Sequence, residues 1–124
     1  MSVSIGQWRE EDEYFIEEGC FILELANSAE DPQLSIARAR VIPGVATRWH
    51  RLRDTAERYL ILEGTGSVEV GEDSPRNVSP GDVVLIPPMM RQRITNTGDI
   101  DLVFLALCTP RFLPENYESV TAAW

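Results

Sequence analysis

Gly44-Val-Ala-Thr-Arg-Trp-His50-Arg-Leu52-Arg-Asp-Thr-Ala-Glu57, closed by Gly64, decides how this chain reads. It sets the chain's one histidine and a carboxylate across two adjacent strand-like runs, with glycines as turn makers at either end. Side chains alternate along a strand, so Ala46, Arg48, His50 and Leu52 share one face, and Glu57, Tyr59 and Ile61 share another. A second stretch follows: Gly81, the apolar run Val83-Val84-Leu85-Ile86, then Pro87, Met89, Gln92 and Asn96. There Met90, Gln92 and Ile94 have the same parity.

Outward from these stretches, short β-branched or aromatic runs alternate with Gly, Pro, Asn and Asp at close intervals, which predicts strands throughout and only weak helix signals. The runs are 15–16, 20–25, 34–42, 47–51, 58–62, 67–70, 83–86, 91–96 and 102–108. Turn chemistry separates them at Pro43-Gly44, Glu63-Gly64, Gly71 to Pro75, Ser79 to Asp82 and Asn96 to Asp99. Many short strands joined this way make an all-β sandwich or barrel. Pro110 and Pro114 are expected to prevent regular pairing in the tail, which leaves Arg111-Phe112-Leu113 along the outside.

Together the two stretches resemble the paired motifs of the cupin superfamily. Gly44, His50, Glu57 and Gly64 match its G-x5-H-x-H-x3or4-E-x6-G motif, with Leu52 where the second histidine belongs. Gly81, Pro87 and Asn96 match its G-x5-P-x-G-x2-H-x3-N motif, with Met89 in place of the glycine and Gln92 in place of the histidine. The resemblance covers residues 34 to 110. It implies a single double-stranded β-helix, or jelly-roll, barrel: a core over 34–110, N-terminal strands over 1–33 packing on it or swapping with a second copy, and an exterior tail over 111–124. It also implies a homodimer, which Leu60, Leu62, Val103 and Leu105 would serve if they face outward.

If His50 points inward, its parity partners bring an imidazole, a carboxylate, a carboxamide and a phenol together among Leu52, Ile61, Met90 and Ile94, a polar cluster in an apolar cup. His50, Glu57 and the amide oxygen of Gln92 are then the candidate ligands of a divalent ion such as Zn, Ni, Mn or Fe, with Asp54 a weaker loop candidate. The alternative is an imidazole hydrogen-bonded to Glu57 and Gln92 without metal. Glu57 and Tyr59 are the candidate catalytic groups. Arg48, Leu52, Tyr59, Ile61 and Met90 are candidate substrate contacts, and an inward Arg48 would favour a small anionic metabolite. The cupin resemblance implies isomerase, epimerase or lyase chemistry ahead of oxygenase chemistry, which wants two imidazoles. A metal-free ligand-binding or structural dimeric barrel is the rival.

Eleven basic residues against twenty acidic ones give a net charge of -9, which disfavours nucleic acid and anionic membranes as partners. The opening Met1-Ser-Val-Ser-Ile-Gly lacks the basic and apolar regions of a signal peptide, no run is long enough to span a membrane, and Cys20 and Cys108 read as reduced packing thiols. A cytoplasmic small-molecule protein is expected. The acidic run Glu10 to Glu13 and the pair Glu17-Glu18 are expected to be solvated faces.

Overall fold

The computed structural model describes residues 2–120. Eleven strands form two antiparallel sheets: β1 (Tyr14–Ile16), β2 (Cys20–Ala26), β3 (Ser35–Val41), β4 (His50–Leu52), β5 (Ala56–Glu63), β6 (Gly66–Val70), β7 (Arg76–Val78), β8 (Val83–Ile86), β9 (Gln92–Asn96), β10 (Leu102–Thr109) and β11 (Tyr117–Ser119). One sheet has the order β1-β2-β3-β10-β5-β8, the other β11-β4-β9-β6-β7. No helix among the described residues is long and apolar enough to cross a membrane.

The alternation read from the sequence is what closes the barrel. Along β5, Glu57, Tyr59 and Ile61 are buried while Ala56, Arg58 and Leu60 are more accessible; along β9, Gln92, Ile94 and Asn96 are buried. The apolar members of these faces meet between the sheets, where Val41, Ile61, Ile86, Ile94, Leu102 and Phe104 form a sealed core with Val68 and Val78. Each fully buried aliphatic side chain of this kind stabilises the fold by about 1.5–3 kcal/mol. The strands therefore change character along their length. On β5, Ile61 plugs the core, Tyr59 borders both core and cavity, and Glu57 faces the cavity alone.

Asn96 has a structural task. Its amide donates to the carbonyls of Val41 and Ile100, both at 2.8 Å, and its oxygen accepts from the Gly98 amide at 2.9 Å, so it organises the turn into β10. Gly64 takes a φ of 79°, and a Cβ there would lie 2.6 Å from the Asp101 carbonyl, which leaves no room for any other residue. Met89 sits in the same left-handed region at φ 70°, the position where the cupin motif carries glycine.

Two strands escape the sequence reading. β7 holds a single apolar residue, Val78, and is recruited by pairing with β6. β11 corrects the expected exterior tail: Tyr117, Glu118 and Ser119 pair with Leu52, Arg51 and His50 of β4, so the chain returns past its prolines to edge the second sheet. The last four residues of the expected tail lie outside the described residues. The acidic run is also not simply solvated, since Glu10 and Glu13 pair with Arg38, and Glu13 and Asp101 with Arg40, on the outer face of β3.

Candidate functional site

A cavity of about 330 Å3 opens at the end of the barrel away from the core. Arg48, His50, Leu52, Glu57 and Tyr59 line it, which brings together five of the residues singled out from the sequence. Four others are placed elsewhere. Ile61 is 1% exposed within the core, and Met90 is more than a third exposed outside the cavity, because it lies in the turn before β9 rather than on the strand. Gln92 is buried behind the wall, and its amide oxygen accepts the Tyr59 hydroxyl. Asp54 occupies an exposed left-handed turn position.

His50 is fixed by its backbone. Its Nδ1 lies 2.8 Å from the Arg48 carbonyl, which can only accept, so Nδ1 carries the proton and Nε2 presents a lone pair. Facing Nε2 at 3.5 Å is Oε1 of Glu18. Glu18 stands in the β1–β2 turn, where Gly19 at φ 102° reverses the chain and the Glu18 carbonyl accepts the Arg48 amide at 2.8 Å. That turn swings Glu18 over the cavity, so the expectation of a solvated Glu17-Glu18 face fails for Glu18. Parity with Ile16 and Cys20, two residues to either side, was the available signal.

The electrostatics follow from burial. Loss of water pushes the Glu18 carboxyl up to about 7, against hydrogen bonds from Cys20 and Tyr117. Burial likewise pushes Glu57 up to about 7; the Glu18 charge adds to this, while His50, Gln92 and Cys108 oppose it. Burial lowers His50, so its neutral form is favoured as well. The neutral forms of both groups are favoured by burial, and 3.5 Å is longer than a strong charge-assisted bond. Glu57 is less complete. Its Oε2 takes the Cys108 thiol at 3.9 Å, while Oε1 is buried without any partner.

Aromatic rings shape the rest. Tyr117 stacks on His50 with centroids 5.3 Å apart and planes 15° off parallel, a contact that exists only because β11 pairs with β4. Tyr59 packs against Phe104 at 4.4 Å, and burial pushes its phenol well above the ordinary value, so it serves as a donor to Gln92 rather than as a ready proton source. Burial also raises both thiols, which makes Cys20 and Cys108 weak donors to Glu18 and Glu57 and not nucleophiles.

The donors present do not fit a divalent metal. Gln92 has committed its amide oxygen to Tyr59, Leu52 presents hydrocarbon where a second imidazole would stand, and among the described residues no three His, Cys, Asp or Glu side chains converge on one point. The expected His50, Glu57 and Gln92 ligand set is therefore not assembled. The physical reason is placement: Gln92 is bonded to Tyr59 and does not line the cavity that His50 and Glu57 share.

Comparison with known proteins agrees with this architecture. The chain is 32% identical over 107 residues to an uncharacterised protein of Methanocaldococcus jannaschii, covering 85% of each. It is 40% identical over 63 residues to a glucose-6-phosphate isomerase of Pyrococcus horikoshii, covering 48% of this chain and 33% of that enzyme. The chain thus spans a third of the isomerase's length. A Streptomyces nucleoside dehydratase shares the fold with a TM-score of 0.77 at 15% identity, over 95% of this chain and 92% of its own. The cupin domain model matches residues 37–108, more than half of the sequence, and with two sheets closing on the His50 cavity the chain belongs to the cupin family.

Proposed function

We propose that the barrel is a small-molecule enzyme of isomerase or lyase type, working by proton transfer between Glu57 and the Glu18–His50 pair. The observation that carries this reading is the presence of two buried carboxyls and one imidazole on a single cavity, with both carboxyls raised to about 7. Two such groups near neutral pH take opposite protonation states at small cost, so one accepts a proton while the other donates. On a hydroxy-carbonyl compound, an ionised carboxylate removes the proton from the carbon beside the carbonyl as the protonated partner supplies one to the carbonyl oxygen. Returning the proton to the neighbouring carbon, while a hydroxyl of the enediol gives its own proton back to the partner, completes an isomerisation; protonating a departing hydroxyl on the next carbon, while the enol oxygen gives its proton back to the partner, releases water and completes a lyase reaction. No step passes through a metal. Tyr59 holds Gln92, and Gln92 lies against Glu57, so both act as positioning residues.

The test uses dihydroxyacetone, fructose, fructose 6-phosphate and glucosamine in D2O, with deuterium incorporation at carbon followed by NMR. Exchange on at least one compound is expected to fall 10²- to 10⁴-fold in both Glu18→Gln and His50→Gln, the usual contribution of a positioned acid or base. Equal exchange in the variants and the parent, or none on any compound, would sink the reading.

A homodimer is proposed alongside. Val83 and Leu85 are 64% and 59% exposed on the edge strand β8, next to Leu62 at 43%, an apolar strip on an unpaired sheet edge. A second copy would cover it. In sedimentation velocity, Leu85→Lys is expected to convert a dimer to a monomer; a monomeric parent protein would refute the interface.

A further inference from the structure

The charges around the cavity run opposite to the anionic ligand that Arg48 suggested. Four carboxylates line it, Glu17, Glu18, Glu24 and Glu57, against one guanidinium, that of Arg48, whose side chain is exposed at the mouth. The chain has no lysine, and its eleven basic residues are all arginines. Several of them pair with carboxylates outside the cavity: Arg38 with Glu10 and Glu13, Arg40 with Glu13 and Asp101, Arg51 and Arg53 with Glu118, and Arg93 with Glu69. Among the described residues, no arginine pairs with a cavity carboxylate. Glu24 takes only the neutral amide of Asn27, at 3.0 Å.

A second observation points to what is missing. Glu57 is 9% exposed, and its Oε1 is buried without a hydrogen-bond partner. A buried carboxylate oxygen left unmatched by the protein is costly, so its donor is to be sought in the ligand. The cavity lining also includes Tyr14, Phe104, Phe112 and Tyr117, aromatic residues of the kind whose ring faces attract cations. Four carboxylates with aromatic walls and a single guanidinium at the mouth are the complement of a protonated amine on an apolar or polyhydroxylated body.

Resting on the proposed acid–base reading, we propose that the cavity selects a small amine-bearing metabolite whose ammonium group pairs with the Glu57 carboxylate. The amine holds Glu57 in the ionised form, the form in which it accepts the substrate proton, and the Glu18–His50 pair supplies the proton that is given in exchange. Phosphorylated and carboxylated compounds are excluded by the same four glutamates.

Isothermal titration calorimetry at pH 8 with cyclohexylamine, cyclohexanol and cyclohexanecarboxylate separates the possibilities, because the three share one ring and differ in charge. The amine is expected to bind at least tenfold more tightly than the alcohol, with the carboxylate weakest. Glu57→Gln is expected to lose at least tenfold for the amine while leaving the alcohol unchanged, and Glu18→Gln to lose less. A carboxylate that binds as well as the amine, an alcohol that equals it, binding of none of the three, or amine affinity untouched by Glu57→Gln each overturns the proposal. Amine binding with no deuterium exchange on any compound would instead remove the catalytic reading and leave the ligand class standing.

Discussion

Replacing Glu57 with glutamine is expected to make the protein more stable at pH 8, by about 2 kcal/mol, and to leave stability at pH 5 nearly unchanged. The fold holds the Glu57 carboxyl at about 7, where an unfolded chain has the ordinary value of 4.5. Between those two values the folded state binds more protons than the unfolded state, so stability falls as pH rises through the window and levels off above it. The gap corresponds to roughly 3 kcal/mol for ionising Glu57 in place, and glutamine removes that cost while keeping the shape. Some of the gain is offset, because the new amide hydrogens must find acceptors in a wall already short of partners. Glu18 behaves in the same sense, its carboxyl also raised by burial. His50 opposes both: its lowered value means the unfolded chain binds that proton more readily, so this contribution rises with pH and saturates above the ordinary histidine range. Two carboxyls against one imidazole leave the parent protein losing stability from pH 5 to pH 8. Guanidinium denaturation at intervals across that range measures it. A parent protein whose stability climbs with pH, or a Glu57→Gln variant weaker than the parent at pH 8, would show that Glu57 is met by a cation the described residues do not supply.

Much of the fold was legible because it depends on a local period of two. Glu57, Tyr59 and Ile61, and Gln92, Ile94 and Asn96, turned inward as alternation required, and Gly64 proved sterically obligatory. The strands that alternation could not find were those held by pairing alone: β7, with one apolar residue, and β11, beyond two prolines. The site was legible only along the strands that carry its motif. His50, Leu52 and Glu57 could be placed on faces, but Glu18 enters from a turn, and Tyr117 enters from a strand 65 residues away whose register with β4 sets it on the His50 ring. Gln92 shows the other boundary. Its inward position followed from parity, whereas its bond to Tyr59 depends on side chains meeting across two sheets, which no single-strand pattern encodes.

Restoring the two missing histidines together, Leu52→His and Gln92→His, is expected to create a tight metal site. The argument rests on backbone placement. His50 and Leu52 are both buried two residues apart on one face of β4, and Gln92 stands opposite His50 in the register of β4 with β9. Two imidazoles at 52 and 92 would therefore stand beside His50 and across the barrel from Glu57, four donors of the kinds that bind zinc or nickel. Without metal the variant is expected to lose stability, since Leu52 is 3% exposed and a buried imidazole in its place has no partner, a cost of about 2–4 kcal/mol. Zinc should reverse that loss. A ligand binding only the folded state adds about 2.7 kcal/mol at a hundredfold excess over its Kd, so the variant should melt lower than the parent without zinc and recover with it. The parent protein should show no such response, and elemental analysis should find it substoichiometric in metal both as purified and as His50→Ala. A parent that retains one equivalent of metal, lost in His50→Ala, would mean that Gln92 surrenders its bond to Tyr59 to serve as a ligand. A double variant that ignores zinc would place the obstacle in the backbone rather than in the two side chains.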